Sequence, residues 1–260
     1  MDLDGIALSF VRNADAVCEA KEILGDESKG MKIIAKIENQ EGVENMEQIL
    51  EEADGIMVAR GDLGLEVDME ELPQLQRRMA YLCAIHGKRL IVATHLLESM
   101  IEFPVPTRAE VTDVANAVYE QADAVMLSGE TASGKYPVEA VETLDRIVRR
   151  TERYPGVDYA SKMNLSSARM HLAAAAAQMA SELQFKGFVA ITQFGRGAEY
   201  ISGMRPRGLP IYAFTNSERT YHTLLFCRSV YPFLVEDFSI NPEFTLEQAL
   251  RTLRDREGYQ

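Results

Sequence analysis

The chain has 260 residues and a mass of 29.1 kDa, which favours two domains at about 150 residues per domain. Its 47% apolar and 26% charged residues are ordinary globular values that exclude a disordered, collagen-like or coiled-coil chain. The formal net charge is −13, and residues 1–157 carry 30 acidic against 16 basic side chains. This acidity argues against nucleic acid or an anionic membrane as the main partner. It is compatible with a small phosphorylated substrate that binds together with a divalent metal.

The cysteines, the apolar runs and the start of the chain bear on where in the cell the protein is located. Cys18, Cys83 and Cys227 are scattered and odd in number, which is typical of reduced cytosolic thiols and not of a disulfide framework. No apolar run approaches the roughly 18 residues of a membrane span, and the acidic start is unlike a signal peptide. The sequence therefore predicts a soluble cytoplasmic protein.

The first 157 residues repeat a pattern of a short apolar strand followed by a longer helix. The predicted strands are 5–11, 32–37, 55–59, 89–94 and 123–128, and the predicted helices are 14–24, 43–53, 72–86, 109–122 and 136–153. Successive strands begin about 23 to 34 residues apart, which is the size of a β/α unit. Continuous Val, Ile, Met and Ala predict strands that are buried on both faces, and hence a parallel sheet.

The number of units limits the possible architectures. An eight-unit barrel usually takes about 250 residues, so five units in this region do not close one. The pattern predicts either an open β/α sheet or a partial TIM-type β/α barrel whose front is missing.

A second domain is predicted after the breakers Pro155 and Gly156. Strands 187–192, 210–215 and 231–235 alternate there with helices 165–183, 197–204, 218–227 and 244–256. The predicted domains are therefore 1–157, a partial barrel, and 158–260, a smaller and truncated α/β domain.

Ligands of parallel β/α folds bind at the carboxyl ends of the strands, so polar residues at those ends are candidates for a site. Lys36 and Glu38 are two residues apart and point to the same side of a strand. Gly61 and Asp62 follow the next strand, and the two carboxylates on adjacent strands suit Mg²⁺. A salt-bridged strand end and a plain turn are the structural alternatives.

Hydroxyl groups follow the next two strands, at Thr94 and Ser128. By themselves these residues are typical of caps or turns. Together with Lys36 and the carboxylates they suit a metal-bound oxyanion, and both enolate and phosphoryl chemistry fit.

The same segments resemble pyruvate kinase. The stretches IIAKIENQEGVEN, DGIMVARGDLGLE, PTRAEVTDVANAV and AVMLSGETASGKYPVEAV are similar to that family's most specific motifs, over at least residues 4–142. The second region is similar to the family's C-terminal domain, more loosely. The resemblance implies Mg²⁺-dependent transfer of a phosphoryl group from phosphoenolpyruvate to ADP, which gives pyruvate and ATP.

The resemblance also implies roles for individual residues. Lys36 would stabilise charge on the phosphoryl group and on the enolate oxygen, and Glu38 and Asp62 would bind Mg²⁺. The backbone of Gly61 and Asp62, with the Thr94 hydroxyl, would bind the substrate carboxylate.

Protonation of the enolate carbon would fall to Thr94, or to a water relay that reaches Ser128. The resemblance further implies a K⁺ whose ligands would lie in a missing N-terminal part, and a homo-oligomer formed through the helix PTRAEVTDVANAV. His95 stands where the family commonly has Gln.

Two alternatives to an active kinase remain open. The first is that the chain is a catalytically silent fragment or assembly module of that enzyme, since five strands leave an exposed sheet edge. Another Mg²⁺-enolate barrel enzyme, of the aldolase type, is less favoured because of the long LSGETASGKYPVEAV match.

Overall fold

The computed structural model describes residues 3–28, 30–235 and 242–258. The chain divides into two compact units, Met1–Asn164 and Leu165–Gln260, and each is an α/β unit with its own parallel sheet. The domain boundary after residue 157 stays a prediction.

The sheet of the first unit contains five parallel strands in the order β1-β2-β3-β4-β5, so each strand pairs with the next one along the chain. The strands are β1 (Gly5–Leu8), β2 (Lys32–Ile37), β3 (Gly55–Ala59), β4 (Arg89–Ala93) and β5 (Ala124–Met126). This sequential order is that of successive β/α units. The eight-unit barrel and its missing front stay predictions.

Eight helices connect and flank these strands within the described part of this unit. They are α1 (Ala14–Leu24), α2 (Gln40–Glu44), α3 (Met46–Glu52), α4 (Arg60–Glu66), α5 (Leu72–His86), α6 (Arg108–Tyr119), α7 (Gly129–Ala132) and α8 (Pro137–Thr151).

The two faces of this sheet pack differently. One face carries the large core, in which Ile33, Ile56 and Val92 meet the apolar sides of the helices. The opposite face carries a smaller cluster of Ile34, Met57, Ile91 and Ala93. Every residue of β3 and β4 is buried, which is why these strands are continuously apolar in sequence.

Carboxylates before two strands stabilise the register of the sheet. Asp54 precedes β3 and accepts the Ile33 N–H at 2.9 Å through Oδ2. Asp123 precedes β5 and accepts the Leu90 N–H at 2.9 Å in the same way. Each side chain satisfies a backbone donor at the start of the neighbouring strand.

Local sequence signals determine where several helices begin and end. The Asn13 side chain accepts the Ala16 N–H at the start of α1. Helix α5 has a proline in its first turn, and Gly87 ends it in the left-handed conformation that glycine adopts most easily. A capping box between Thr107 and Glu110 begins α6.

We expect the capping box at α6 to make stability depend on pH. Burial raises the pKa of Glu110, but hydrogen bonds from Ser99 and then Thr107 outweigh burial, so the pKa lies below its ordinary value. The stabilisation is therefore present above the ordinary glutamate pKa of about 4.3 and is lost as the pH falls through the lower folded-state value. We would measure the free energy of unfolding in urea between pH 7 and pH 3. The amount by which Glu110→Gln is less stable than the wild type should shrink as the pH falls. A deficit that stays constant would contradict this account.

The structure differs from the predicted elements at several places near the carboxyl ends of the strands. Strand β5 ends at Met126, before the predicted end at residue 128. Strand β1 ends at Leu8, before the predicted end at residue 11. The predicted helix 43–53 is interrupted at Asn45, whose side chain donates to the Arg12 carbonyl at 2.9 Å. The GDLG segment, weighed as a turn, lies in helix α4.

The second unit has a three-stranded parallel sheet in the order β6-β7-β8. Its strands are β6 (Phe188–Ile191), β7 (Ile211–Thr215) and β8 (Val230–Leu234), and its helices are α9 (Ala168–Glu182), α10 (Arg196–Gly203), α11 (Glu218–Leu224) and α12 (Pro242–Glu257). Phe214 and Leu253 belong to the core cluster on one face of this sheet, and Ala198 and Leu224 belong to that on the other. Within the described ranges, no helix has the length and apolar character needed to cross a bilayer.

Candidate active site

Lys36 lies in β2, near the carboxyl end of the first sheet. By the alternation of a strand its side chain shares a face with Ile34, which belongs to the smaller apolar cluster. Its Nζ atom donates to Ser9 Oγ at 2.9 Å and lies 2.7 Å from Glu38 Oε1. Strand alternation thus brings Lys36 and Glu38 together, as the sequence predicts.

Glu38 is the most buried charged group of this region, with 0% of the residue exposed. Its Oε2 atom accepts the Phe10 N–H at 2.6 Å. Oε1 is buried and accepts no hydrogen bond from the described residues, although the Lys36 ammonium lies close to it. A buried carboxylate costs free energy unless it is paired, and the Lys36 ammonium supplies this pairing at 2.7 Å. A carboxylate oxygen has two acceptor positions, so Oε1 retains capacity for a further ligand.

The loop after β1 was missed by the sequence analysis. Ser9 and Phe10 hold Lys36 and Glu38, and Phe10 has a positive φ of 53°, a left-handed conformation that is unusual for an aromatic residue. The available signal was the polar Ser9 directly after an apolar strand, the same criterion that selected Thr94.

A second cluster joins the ends of β3 and β4. Thr94 Oγ1 accepts the Gly61 N–H at 2.8 Å and donates to the Ala93 carbonyl at 2.6 Å. A Cβ atom on Gly61 would make ordinary van der Waals contact with His95 Cε1 at 3.4 Å, so the two loops lie next to each other here. The Gly61 N–H and the Thr94 hydroxyl are therefore bonded to each other in this state.

The backbone at the end of β4 is strained. Thr94 and His95 have φ values of 66° and 54°, and such a conformation costs about 1–3 kcal/mol at a residue other than glycine. Arg60 donates to the Thr94 carbonyl from Nε at 3.2 Å and from Nη2 at 2.7 Å. Its Nη1 atom donates to Asp113 Oδ1 in α6 at 2.7 Å. Neither Arg60 nor Asp113 was singled out from the sequence.

A cavity of about 430 Å³ lies beside this second cluster. Its lining includes Arg60, Gly61, His95 and Asp113. The exposed His95 ring lies at this opening, with Nε2 3.8 Å from Glu98 Oε1. The carboxyl ends of β3 and β4 thus border a space of small-ligand size.

Ser128 lies two residues beyond β5 and is half-buried. Its N–H donates to Glu130 Oε2 at 2.8 Å, and Glu130 Oε1 accepts the Leu97 N–H at 3.0 Å. Glu130 is only 2% exposed and therefore joins the loops after β4 and β5. Glu130 was not predicted as a site residue, because a carboxylate in the short helix α7 carries no local sign of its burial.

Asp62 is exposed and lies in the first turn of α4, immediately after β3. In the described part of the chain, direct contacts join Lys36 with Glu38 and Gly61 with Thr94, whereas no bond joins Asp62 or Ser128 to these pairs. All six predicted site residues nevertheless follow or end neighbouring strands at the same edge of the sheet.

The donor set of this edge fits a hard divalent cation. Glu38 and Asp62 supply carboxylate oxygens from neighbouring strands, and Glu38 Oε1 is buried without a hydrogen bond. Mg²⁺ is usually bound by one or two carboxylates together with water and substrate oxygens. No group of three or more His, Cys, Asp or Glu that could bind a metal occurs among the described residues.

Comparison with known proteins gives the same family for both units. A family model described as the barrel domain of pyruvate kinase matches residues 1–141, and the alpha/beta domain of pyruvate kinase matches residues 170–259. Pyruvate kinase from Dictyostelium discoideum is 48% identical over 244 residues, which cover 90% of this chain and 48% of that protein. Pyruvate kinase from Thermotoga maritima is 40% identical, over 98% of this chain and 54% of that protein.

A solved structure agrees with these relatives. The crystal structure of a pyruvate kinase from Cryptosporidium parvum superposes with a TM-score of 0.94 at 36% identity, over all of this chain and 55% of that one. The chain thus spans about half the length of the relatives it matches. Its two family matches together cover most of its residues, so the chain belongs to the pyruvate kinase family.

Proposed function

We propose that this chain carries the catalytic residues for Mg²⁺-dependent phosphoryl transfer from phosphoenolpyruvate to ADP. The observation that carries the proposal is the pairing of the Lys36 ammonium with the fully buried Glu38 carboxylate, 2.7 Å apart at the carboxyl edge of a parallel sheet. Oε1 of that carboxylate is buried, and beside the Lys36 ammonium it keeps an acceptor position that a metal ion could use.

Lys36 acts as an electrostatic catalyst in this proposal. Its ammonium is oriented by Ser9 Oγ at 2.9 Å and retained by Glu38, so its charge needs no reorganisation when a substrate binds. A fixed cation stabilises negative charge that grows on the phosphoryl and enolate oxygens in the transition state. The side chain is 24% exposed, so it is accessible to a substrate.

Glu38 and Asp62 would hold the metal ion. When bound, Mg²⁺ supplies positive charge that polarises phosphoryl and enolate oxygens. Glu38 is fixed for this role by the Phe10 N–H, whereas Asp62 is exposed and free to adjust to the metal. A rigid ligand together with an adjustable one suits a metal whose remaining ligands arrive with the substrate.

Gly61, Asp62 and Thr94 would bind the substrate carboxylate. The Gly61 N–H donates to Thr94 Oγ1, and the Thr94 hydroxyl donates to the Ala93 carbonyl, so substrate binding would exchange both bonds for bonds to the carboxylate. Such an exchange keeps the Gly61 and Thr94 donors satisfied before and after binding, which limits the cost of desolvating the site.

The enolate carbon must take up a proton after phosphoryl transfer. Thr94 is proposed as the donor, directly or through water that reaches Ser128. The buried Glu130 supports this assignment, since it binds the Ser128 and Leu97 N–H groups and so fixes the two loops relative to each other.

The remaining features of the proposal belong to the whole protein. They are a K⁺ ion, the ADP and ATP site, a homo-oligomer and a cytoplasmic location. Their support is family membership, because the relatives named above are pyruvate kinases.

The direct test is pyruvate formation by the purified chain from phosphoenolpyruvate, ADP and Mg²⁺. Omission of ADP and chelation of the metal are the two controls, and each should abolish turnover. A second assay follows Mg²⁺-dependent deuterium uptake at the methyl group of pyruvate, which needs the site but no nucleotide. Absence of both reactions in a folded chain would contradict the proposal for this chain, and aldol cleavage without ADP would favour the aldolase alternative.

A second candidate function rests on the observation that the chain spans about half the length of its relatives. In this case the chain is an assembly module of a pyruvate kinase and is silent by itself. It would then bind Mg²⁺ and pyruvate through Glu38 and Asp62 but show no ADP-dependent turnover.

A further inference from the structure

Arg60 connects three elements of the first unit beside the candidate site. It is the first residue of α4, directly after β3, and its side chain is 12% exposed. Two of its nitrogens donate to the Thr94 carbonyl, Nε at 3.2 Å and Nη2 at 2.7 Å. The third, Nη1, donates to Asp113 Oδ1 at 2.7 Å, and Asp113 lies in α6.

The carbonyl that Arg60 binds belongs to a residue in a costly conformation. Thr94 has a φ of 66° and His95 a φ of 54°, and left-handed backbone is a genuine outlier for a β-branched residue such as threonine. Strained backbone persists only where the surrounding structure fixes it. The guanidinium group supplies two charge-assisted hydrogen bonds to this peptide, which are stronger than bonds between neutral groups.

The strained backbone at Thr94 and His95 determines where the Thr94 hydroxyl lies. Thr94 Oγ1 accepts the Gly61 N–H at 2.8 Å, and Gly61 directly follows Arg60 in the chain. Arg60 and Gly61 therefore bind the same threonine, one through its carbonyl and the other through its hydroxyl. A shift of the Thr94 peptide would separate the two groups that the proposed function assigns to the substrate carboxylate.

We propose that Arg60 is a positioning residue that locks the turn at Thr94 and His95, and that helix α6 sets this position through Asp113. The role of this turn in substrate binding rests on the proposed function, whereas the hydrogen bonds of Arg60 do not depend on it. Asp113 makes α6 a part of the site although none of the proposed catalytic or ligand residues lies in that helix.

The chemistry of the lock requires arginine. The planar guanidinium presents several N–H groups in a fixed fork, so it binds a carbonyl on one element and a carboxylate on another at the same time. A lysine ammonium lacks this fork and cannot reproduce the paired bonds to the Thr94 carbonyl. The negative charge of Asp113 orients the fork, so its neutral isostere should loosen the lock without removing the arginine.

A purely structural ion pair is the competing explanation, and local hydrogen exchange separates the two. We would measure, by NMR, exchange of the Gly61 amide relative to the Ile33 amide, which donates to Asp54 Oδ2 at 2.9 Å in another part of the sheet. General destabilisation would raise the exchange rates of both amides, whereas loss of the lock would raise the exchange rate of the Gly61 amide selectively. The variants are Arg60→Lys and Asp113→Asn. The matched control is Arg77→Lys, whose Nε lies 3.3 Å from Glu120 Oε1, next to the end of α6.

We expect the Gly61 to Ile33 exchange ratio to rise by about tenfold or more in Arg60→Lys, which is the effect of losing one hydrogen bond to a charged group. Asp113→Asn should raise the ratio by less, and the Arg77→Lys control should leave it unchanged. A ratio that stays unchanged in both variants would overturn the proposal. If Arg60→Lys fails to fold, the Gly61 to Ile33 exchange ratio of the milder Asp113→Asn variant tests the proposal instead.

A kinetic measurement separates this inference from the proposed function. The exchange ratio needs no substrate, so a raised ratio supports the lock even where the parent chain makes no pyruvate. That silence would count against the proposed function alone. Where the parent chain turns over, Arg60→Lys should raise KM for phosphoenolpyruvate about tenfold with a smaller change in kcat. A loss confined to kcat would overturn the assignment to substrate positioning.

Discussion

Replacement of Lys36 by methionine is expected to lower pyruvate formation by about a thousandfold. Removal of one preorganised donor to a developing oxyanion costs roughly 10²–10³ in rate, and Lys36 brings a full positive charge. Its Nζ is fixed between Ser9 Oγ at 2.9 Å and Glu38 Oε1 at 2.7 Å, so no other group takes its position by a small movement. Methionine keeps most of the length of the side chain and removes only the ammonium.

The matched control is Lys21→Met. Lys21 Nζ also lies 2.7 Å from a glutamate oxygen, that of Glu52, but both of these side chains are more than a third exposed. Rates are measured by ADP-dependent pyruvate formation and by deuterium uptake at the methyl group of pyruvate, with circular dichroism to verify the fold. Equal activities of the two variants would show that Lys36 has no role in catalysis.

Replacement of Glu38 by alanine should lower the free energy of unfolding by about 3–5 kcal/mol, because it breaks a buried ion pair from one side. The Lys36 ammonium would lose its counter-charge, and the Phe10 N–H would lose the acceptor that lies 2.6 Å away. Phe10 also has a positive φ, so the loop after β1 would lose a bond that holds it in a strained conformation. The measurement is chemical unfolding in guanidinium chloride, followed by circular dichroism.

Two further variants separate the parts of this effect. Glu52→Ala removes a partly exposed carboxylate with the same 2.7 Å contact to a lysine, and it should leave the unfolding midpoint nearly unchanged. Glu38→Gln keeps an acceptor for Phe10 and should recover part of the stability, while Mg²⁺ binding measured by calorimetry stays lost. Wild-type Mg²⁺ affinity in Glu38→Gln would remove Glu38 from the proposed metal site.

The elements of both units could be predicted because their signals are local. Strands β3 and β4 read as continuous apolar runs since every residue in them is buried, and the predicted boundaries agree with the structure to within one residue. Helices α1 and α5 begin and end at their caps, as their sequences indicate. The interruption at Asn45 was missed because its cause is a side-chain bond to Arg12, 33 residues away.

The candidate site was predictable only in part, for a related reason. Side chains two residues apart on a strand point to the same face, so the local sequence is enough to predict that Lys36 and Glu38 lie together. The partners that fix the site come from distant segments. Phe10 lies 28 residues from Glu38, and Asp113 lies 53 residues from Arg60.

The sequence by itself determined the strands, the longer helices, the parallel sheets and the family, because periodicity and motif order are properties of consecutive residues. Only the tertiary structure decided which polar groups are buried, which backbone is strained and which loops are tied together. Glu130 illustrates the reason. It lies in the short helix α7, where its local sequence does not distinguish it from an exposed glutamate, yet folding buries it between the Leu97 and Ser128 amides. Burial and non-local hydrogen bonds arise only when neighbouring β/α units pack, so no single segment contains them.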